Sequence, residues 1–394
     1  MNRGSTGKYE VTSFGGEQVR AFVPNPLPPS PPLEINGAVQ ELLEKATLAL
    51  GRLDSVSLLL PDPNIFLYTY VRREAVLSSQ IEGTQSSLAD LLLFELEEAP
   101  GVPFDDVVEV SGYVAAIEHG IKRLREGFPV SSRLIRELHG VLRSKGRGSE
   151  HSPGEFRRSQ NWIGGARPGG AHFVPPPASC VEDCMSALER FIHKGDAAYS
   201  TLVKAALAHV QFEAIHPFLD GNGRVGRLLI AFLLHSGGVL SEPLLYLSLY
   251  FKQNHSEYYR LLDLVRTDGD WESWLEFFLN GVGTTASNAV LTARRLVTLF
   301  KEDTTRVQSL GGRVSSALRV FQAMCQRPVC TVGEISKRAQ LSFPTATSGV
   351  ERLSALGIVK EVTGRKRNRV FTYGRYLAIL NEGTEPIHHL TLRS

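Results

Sequence analysis

Residues 216–227 place a histidine, an aspartate and two arginines around a glycine-rich turn. Gly221, Asn222 and Gly223 can adopt left-handed backbone angles, and an apolar helical pattern begins directly after them. Successive backbone N–H groups at the start of a helix form a binding site for anions. The spacing therefore predicts a phosphate-binding loop.

The side chains around this loop fit phosphate transfer. Arg224 and Arg227 are three residues apart, so both can lie on one side of the first helical turn and hold phosphate oxygens. Asp220 precedes the loop, and a carboxylate beside phosphates commonly binds Mg²⁺. His216 can act as a base near neutral pH. We therefore expect a site that transfers phosphate from a nucleotide such as ATP, with Mg²⁺.

The elements that must position this loop are mostly helical. Apolar residues recur at helical spacing from Ile35 to about Leu310. The Gly- and Pro-rich segment 154–177 predicts a β-hairpin or flap. Residues 24–32 contain six prolines and predict an extended polyproline arm. We favour a strap across the folded body over an SH3-type ligand.

The C-terminal part changes character. The pattern predicts helices over 314–325, 331–340 and 342–356, followed by a hairpin with a Gly-centred turn. Three helices and a two-stranded basic hairpin are the layout of a winged helix. Between Lys360 and Arg375 there is one acidic residue, Glu361, and there are six basic ones: Lys360, Arg365, Lys366, Arg367, Arg369 and Arg375.

Composition excludes several classes of protein. The 394 residues include 43 Lys or Arg and 41 Asp or Glu, a net charge of +2, so any basic surface must be local. With 42% apolar and 21% charged residues, the chain is not disordered along its length. The longest apolar run, Leu228–Leu234, is far shorter than a membrane span.

These features also set an expectation for the compartment. The N-terminal sequence contains no apolar segment of a secretory signal, so we expect a cytoplasmic protein with no membrane partner. The four cysteines are not at zinc-site spacing and are expected to be reduced thiols: Cys180, Cys184, Cys325 and Cys330.

The segment His216-Pro-Phe-x-Asp220-Gly-Asn-Gly-Arg224-x-Gly-Arg227 resembles the signature of the Fic (filamentation induced by cAMP) family at every defining position. The resemblance implies a mainly α fold: a Fic-type helical core with a small β-hairpin flap, plus a C-terminal winged-helix (α+β) domain. It also implies that an aromatic residue, for which we choose Tyr258, lies against adenine. The ATP phosphates would lie over Gly221, Asn222, Gly223, Arg224, Val225, Gly226 and Arg227.

A second segment resembles the inhibitory pattern of this family. Ser78, Glu82 and Gly83 match Ser/Thr-x-x-x-Glu followed by Gly or Asn, upstream of the core as in one subclass. The resemblance implies that Glu82 pairs with Arg227. A carboxylate in that position would occupy the place of the ATP γ-phosphate.

The resemblance also suggests a division of the chain. Its parts are an extended Pro-rich arm (1–34), an N-terminal helical region (35–110) with the inhibitory motif (78–83), a Fic core (111–280) with flap and motif, a helical linker (281–312), and a winged-helix domain with a tail (313–394).

The activity implied by the resemblance is protein adenylyl transfer. His216 would remove the proton from a Ser, Thr or Tyr hydroxyl of a target protein, or of the chain itself. That oxygen attacks the α-phosphorus of ATP and pyrophosphate leaves. Asn222 and the loop amides would stabilise charge on the α-phosphoryl oxygens. Arg224 and Arg227 would hold the β- and γ-phosphates.

Two alternatives stay open. The chain can be a nucleotide-sensing regulator whose winged helix binds DNA, although a sensor does not need His216 and Asp220. It can also be a phosphodiesterase that removes AMP from modified proteins at the same site, with Glu82 orienting a water. The winged helix can contact either DNA or a protein, and the habit of the family makes a homodimer plausible.

Overall fold

The computed structural model describes residues 3–59, 63–96, 103–146, 152–194, 199–311, 314–365 and 367–384. They are mainly helical with a few short antiparallel strands, which confirms the predicted fold class. None of the described helices combines the length and the apolar character that crossing a membrane requires.

The elements up to the middle of the chain are two strands and five helices. In chain order they are β1 (Gly7–Phe14), β2 (Glu17–Pro24), α1 (Gly37–Leu59), α2 (Pro63–Ile81), α3 (Leu88–Phe94), α4 (Phe104–Arg125) and α5 (Ser132–Leu142).

The later elements are mostly helices as well. They are α6 (Val181–His193), α7 (Thr201–Ile215), α8 (Asn222–Ser236), α9 (Ser248–Gln253), α10 (His255–Asp268), α11 (Trp271–Gln308), α12 (Val314–Gln326), β3 (Val329–Thr331), α13 (Val332–Ala339), α14 (Phe343–Ala355), β4 (Lys360–Glu361), β5 (Val370–Thr372) and α15 (Gly374–Asn381).

Side-chain caps fix where several helices begin. Ser131 and Ser200 each accept a hydrogen bond from the backbone N–H three residues further on, at the starts of α5 and α7. Thr331 and Glu334 form the predicted capping box of α13. Because a capped helix start satisfies N–H groups that have no helical acceptor, each cap contributes about 1 kcal/mol.

The chain divides into two compact units, whose borders differ from the sequence-based domain boundaries. The first unit contains residues 1–54, 81–83 and 111–287, and the second contains residues 55–80, 84–110 and 288–394. The predicted N-terminal region (35–110) is therefore shared between both units, and the predicted linker (281–312) is largely the second half of the single helix α11.

The core of the first unit is built around α7 and α8, which pack against each other. Eleven of the fifteen residues of α7 and twelve of the fifteen of α8 are buried. A helix that is apolar on most sides needs neighbours on most sides, and α5, α6 and α10 pack around the pair. The loop between α7 and α8 is thereby anchored at both ends in the core.

The N-terminal arm is extended only in part, which corrects the prediction for residues 1–34. Strands β1 and β2 form an antiparallel hairpin that turns at Gly15 and Gly16, both with positive φ. The sequence carried the signal: alternating polar and apolar residues on both sides of a Gly-Gly turn, the pattern of a tight hairpin.

The proline-rich segment that follows the hairpin contains no helix, as its prolines predict. Side chains of the first unit hold its backbone. Arg3 donates to the carbonyls of Pro31 and Pro32 at 2.8 Å each, and Gln211 of α7 donates to the carbonyl of Asn25 at 2.9 Å. An extended chain leaves carbonyls that need donors, so these contacts fit the strap interpretation.

The predicted flap, residues 154–177, is described in full, and a single antiparallel bridge between Ile163 and Phe173 joins its two sides. Its Gly and Pro residues limit regular strand pairing. On the outer side, the N–H of Phe22 in β2 donates to the carbonyl of Val174 at 2.9 Å. The N-terminal hairpin therefore continues the pairing at the edge of the flap.

The second unit ends in the predicted winged-helix layout. Helices α12, α13 and α14 lie within one residue of their predicted bounds, and strands β3, β5 and β4 form a three-stranded sheet in that order. Gly357, two residues after the end of α14, has a positive φ and stops the helix as predicted. The prediction missed the strand β3 and the final helix α15.

Candidate functional site

The first unit contains a cavity of about 460 Å³ beside the loop that joins α7 to α8. Its walls are α7, α10, the flap, and Thr6 and Pro24 of the N-terminal segment. The volume is in the range of small-molecule sites, about 300–1,000 Å³. Predicted site residues that line it are Glu82, His216, Asp220, Gly221, Asn222 and Gly223.

His216 follows the last residue of α7 and has a left-handed backbone, with φ 50° and ψ 61°. Its Nδ1 atom is buried and has no hydrogen-bond partner among the described residues. Burial, with a smaller contribution from the positive charge of Arg157, lowers the pKa of His216 to about 4. The imidazole is therefore neutral at pH 7 and can accept a proton.

Arg157 holds this turn in place, and the sequence analysis missed that role. Its Nε donates to the carbonyl of His216 at 2.9 Å, and its Nη2 donates to the carbonyl of Pro176 at 2.5 Å. Its own N–H donates to the carbonyl of Pro217 at 2.9 Å. These bonds hold His216 in a left-handed backbone conformation, which is uncommon for a residue other than glycine. Burial lowers the pKa of Arg157 to about 10.

Asn222 closes the loop with its side chain. Its Oδ1 accepts from the N–H of Phe218 and its Nδ2 donates to the carbonyl of Phe218, both at 2.8 Å. These bonds use Oδ1 and one of the two N–H groups of Nδ2, so the predicted role of Asn222 toward the phosphoryl group is left to its other N–H groups. At the first turn of α8 the N–H groups have no acceptor within the helix.

His139 of α5 supports the same loop and was also missed. Its ring stacks on Phe218 with centroids 3.8 Å apart. Its Nδ1 accepts from the N–H of Gly154 at 2.9 Å, so the proton is on Nε2, which donates to the carbonyl of Asp220 at 3.1 Å. Burial lowers the pKa of His139 to about 4, which keeps this neutral tautomer.

Asp220 presents a half-exposed carboxylate at the rim of the cavity. Its Oδ1 accepts from the N–H of Gly221 at 2.6 Å, and Arg143 lies 2.9 Å from its Oδ2. Burial opposes ionisation, but Arg143 and Arg224 together hold the pKa of Asp220 below its usual value. The carboxyl group of Asp220 is therefore ionised at neutral pH.

Arg227 and Glu82 form the ion pair that the resemblance implied. Nη2 of Arg227 lies 2.7 Å from Oε1 of Glu82; the arginine side chain is 2% exposed and that of Glu82 is 34% exposed. A Cβ at Gly223 would come within 2.4 Å of the same oxygen. The Glu82 carboxylate thus lies against the first turn of α8, where an anion is favoured. Burial opposes the charge of Arg227, but Glu82 raises its pKa.

The other members of the predicted anion-binding segment lie behind this turn. Arg224 is buried and lies 3.8 Å from Asp220. Val225 packs in the core. Gly226 leaves room for the Glu213 carboxylate, which a Cβ would meet at 2.2 Å.

Ser78 and Gly83 are the other two residues of the predicted inhibitory pattern, and their surroundings differ. Ser78 is fully buried within α2, so it serves the packing of that helix. Gly83 has φ +98°, which favours glycine, and lets the chain turn directly after Glu82.

Tyr258, the residue chosen for adenine, lies in the core, which corrects that prediction. It is 1% exposed, stacks on Phe251 at 4.5 Å, and donates its hydroxyl proton to Nε2 of His209 at 2.8 Å. The next residue, Tyr259, lines the cavity instead. Neighbouring helical positions point about 100° apart, and the amphipathic pattern of α10 does not distinguish which aromatic faces the cavity.

Glu213 is a buried carboxyl that the sequence analysis did not single out. It lines the cavity one turn before His216, and its Oε1 has no hydrogen-bond partner among the described residues. Burial, together with the negative charge of Glu82, raises its pKa to about 8, although Arg227 opposes this. The group therefore carries a proton at neutral pH.

A helix N-terminus that holds an anion, beside a neutral histidine and a cavity of this size, defines a candidate nucleotide site. Residues 40–122 match the Fic/DOC family N-terminal domain, and residues 129–234 match the Fic/DOC family domain. Both matches are to the Fic/DOC family, which confirms the resemblance.

Curated relatives bear a more specific name. Proteins named "Protein adenylyltransferase Fic" from Drosophila ananassae and Drosophila virilis are each 32% identical to the chain, over 200 and 203 residues. Each match covers 50% of this chain but 37% and 38% of those proteins. The chain thus spans well under half of the length of these relatives.

Solved structures share the fold. A Fic family protein from Desulfovibrio desulfuricans G20 matches 87% of this chain and 97% of its own, with a TM-score of 0.58 and 19% identity. A Fic domain containing signaling protein from Bacteroides thetaiotaomicron matches 65% and 95%, with a TM-score of 0.50 and 21% identity. At these identities the likeness concerns the fold alone.

Proposed function

We propose that the chain is a protein adenylyltransferase that moves AMP from ATP to a hydroxyl of a protein. The observation that carries the proposal is the neutral His216, with its Nδ1 unpartnered, beside an α8 N-terminus on which a carboxylate already lies. The name of the curated relatives supports the same activity.

The reaction assigns a task to each part of the loop. His216 takes the proton from a Ser, Thr or Tyr hydroxyl, which lets the oxygen attack the α-phosphorus of ATP. A new P–O bond forms, and the bond to the pyrophosphate oxygen breaks with its electron pair. The N–H groups at the start of α8 stabilise the negative charge on the α-phosphoryl oxygens. Arg157 keeps the imidazole oriented by holding the carbonyl of His216.

Asp220 is suited to hold Mg²⁺ at this site. Its carboxylate is ionised and half-exposed at the rim of the cavity. Mg²⁺ commonly binds through one or two carboxylates together with phosphate oxygens and water, so a single protein carboxylate is sufficient. When bound, the ion would neutralise phosphate charge; Arg143 and Arg224 keep the carboxylate in position until then.

Glu82 is proposed to inhibit the transfer. Its carboxylate lies against the first turn of α8 and pairs with the guanidinium of Arg227. A γ-phosphate therefore cannot reach either group while Glu82 is in place. The block needs no change in the loop that carries His216. Activation therefore requires only that Glu82 leaves.

A test of the proposal uses His216→Ala with His119→Ala as a matched control, because His119 pairs with Glu137 and does not line the cavity. Purified protein is incubated with α-labelled ATP and Mg²⁺, and labelled protein is counted. We expect His216→Ala to lose at least about 100-fold in labelling, with ATP binding retained and the control unchanged. Labelling of His216→Ala at the wild-type rate would overturn the role of His216.

The reverse reaction, removal of AMP from a modified protein, would use the same residues with water as the attacking group. A P–O bond to the water oxygen forms, the P–O bond to the protein oxygen breaks, and the protein hydroxyl leaves after taking up a proton. Release of labelled AMP from protein that was labelled beforehand distinguishes the two directions. Faster release by wild type than by Glu82→Gly would favour the reverse reaction, since Glu82 would then orient the water.

A further inference from the structure

Positive charge is concentrated in one part of the second unit. Residues 329–373 contain eight Lys or Arg and three Asp or Glu, whereas the whole chain has a net charge of +2. The rest of the chain is therefore net negative. A local excess of this kind on a folded module is typical of a surface that binds a polyanion.

Helices α13 and α14 in this segment form a helix-turn-helix. Gln340 between them has a left-handed backbone, and its carbonyl accepts from Nη2 of Arg319 at 2.9 Å. Ser342 caps α14. On one side α14 packs tightly, since a Cβ at Gly349 would lie 2.6 Å from a methyl group of Val320. The middle of α14 therefore packs closely against α12.

Several side chains of α14 outside this packed side are at least partly exposed. Phe343 at its first position is 58% exposed, and the side chains of Thr345, Thr347 and Ser348 are partly exposed. Hydroxyl groups donate and accept hydrogen bonds with base edges, and an apolar side chain can contact the methyl group of thymine. Glu351 is the acidic residue of this helix.

The hairpin after α14, residues 360–372, forms a basic wing. Arg365 and Arg367 are exposed, and Arg369 lies over the ring of Phe371 at 5.3 Å; Lys366 lies outside the described residues. The acidic residue of the wing, Glu361, accepts hydrogen bonds from the N–H groups of Thr363 and Gly364. Glu361 thus shapes the turn of the wing.

The acidic residue of α13 is also engaged locally. Glu334 completes the capping box with Thr331 and lies 3.9 Å from Arg327. Two of the three acidic residues in the segment therefore bond to backbone groups of a turn and a cap, while Arg365 and Arg367 of the wing are exposed.

We infer that this winged helix binds duplex DNA, with the start of α14 in the major groove and the wing on the flanking phosphates. A hydroxyl-bearing helix beside an arginine-rich hairpin matches base edges beside a ladder of phosphates. A protein partner would need acidic side chains at the spacing of the wing, and it would not account for the partly exposed hydroxyls of α14. This function is separate from adenylyl transfer and does not depend on it.

The test measures binding of the full chain to a fluorescent 30-base-pair duplex of random sequence, by anisotropy, from 50 to 200 mM KCl. We expect affinity to fall with salt, because each neutralised phosphate adds about 0.9 to the slope of log K against log salt. The triple variant Arg365→Ser, Arg367→Ser and Arg369→Ser should bind at least about tenfold more weakly, with a slope smaller by about 2 to 3.

A control with the same loss of charge is Arg125→Ser, Arg133→Ser and Arg260→Ser, three exposed arginines of the first unit; it should bind like wild type. Phe343→Ala should leave the salt slope unchanged and alter the sequences enriched from a random duplex pool. Absence of binding at 50 mM KCl, or an equal loss in both triple variants, would overturn the inference. A change in oligomeric mass of the wing variant without any binding to DNA would indicate a protein partner instead and would also overturn it.

Discussion

The loop before α8 and the Glu82 carboxylate meet at the same helix N-terminus, but they are held there in different ways. The loop is fixed from several directions by buried groups: Arg157, Asn222 and His139. Glu82 is about one third exposed, and Arg227 is its ion-pair partner among the described residues. The difference indicates that the loop is a permanent part of the site, whereas Glu82 can be replaced by another anion.

The strongest prediction concerns the loop before α8, which hydrogen bonds hold in place. Asn222→Ala removes both hydrogen bonds to Phe218 and leaves the buried Phe218 N–H without its acceptor, which costs about 1–3 kcal/mol of stability. Because the loop positions His216 and the α8 N–H groups, we expect labelling from α-labelled ATP to fall by about 100-fold or more. Thermal melts and labelling rates are measured together.

Asn161→Ala is the control for this prediction. Asn161 also donates to the carbonyls of Phe218 and Leu219, but it holds the loop from the flap and leaves the Asn222 bonds in place. A smaller loss than in Asn222→Ala is expected. Equal losses would show that the Asn222 bonds are not what fixes the loop.

For Glu82, which another anion can replace, we predict a change in labelling of the opposite sign. Glu82→Gly should raise labelling, by about tenfold as an order of magnitude, because the γ-phosphate then has access to Arg227 and ATP can adopt the in-line pose. Breaking a fully buried ion pair costs about 3–5 kcal/mol; exposure of Glu82 makes the loss smaller here. ATP supplies the missing anion, so it should restore the melting temperature of the variant more than that of wild type.

The control for Glu82→Gly is Glu155→Gly, which breaks an exposed ion pair with Arg136 in the same unit as the site. Glu95→Gly is a poorer control, because Glu95 pairs with Arg72 in the second unit. Glu155→Gly should leave labelling unchanged. Labelling that stays level or falls in Glu82→Gly would contradict the inhibitory role and leave Glu82 a structural residue.

Much of this site could be predicted because it is local in sequence. The loop, the start of α8 and the two arginines lie within twelve residues, so their spacing alone indicates an anion site. The three helices of the winged helix were found because their caps and stops are also local signals. Glu82 needed the family resemblance, since 145 residues separate it from Arg227.

What the sequence did not reveal depends on tertiary packing. Arg157 and His139 act through backbone carbonyls of the loop, and no spacing rule connects them to it. Tyr258 and Tyr259 are adjacent aromatic residues, and only the packing of α10 decides which one faces the cavity. Glu213 looks like an ordinary helical carboxylate, and its proton is a consequence of burial.

The smallest expected effect concerns Glu213, the second carboxyl group near Arg227. No hydrogen bond or ion pair of this carboxyl group is seen among the described residues. The folded-state pKa of Glu213 is about 8, above that of an unfolded glutamate. Between about pH 5 and pH 8 the folded protein therefore keeps a proton that the unfolded chain has released. Wild-type stability should fall with rising pH in this window, by up to about 1.4 kcal/mol per pH unit.

Glu213→Gln removes that dependence, because the amide is neutral at every pH. The difference in melting temperature, variant minus wild type, should be small at pH 5, grow up to pH 8 and then stay level; the exposed Glu182→Gln serves as control. In a Glu82→Gly background the window should shorten from the alkaline side, because Glu82 contributes to the raised pKa and Arg227 then favours the charged form of Glu213. A difference that does not vary with pH would show that Glu213 is ionised in the folded protein, and that Arg227 already holds two carboxylates rather than one.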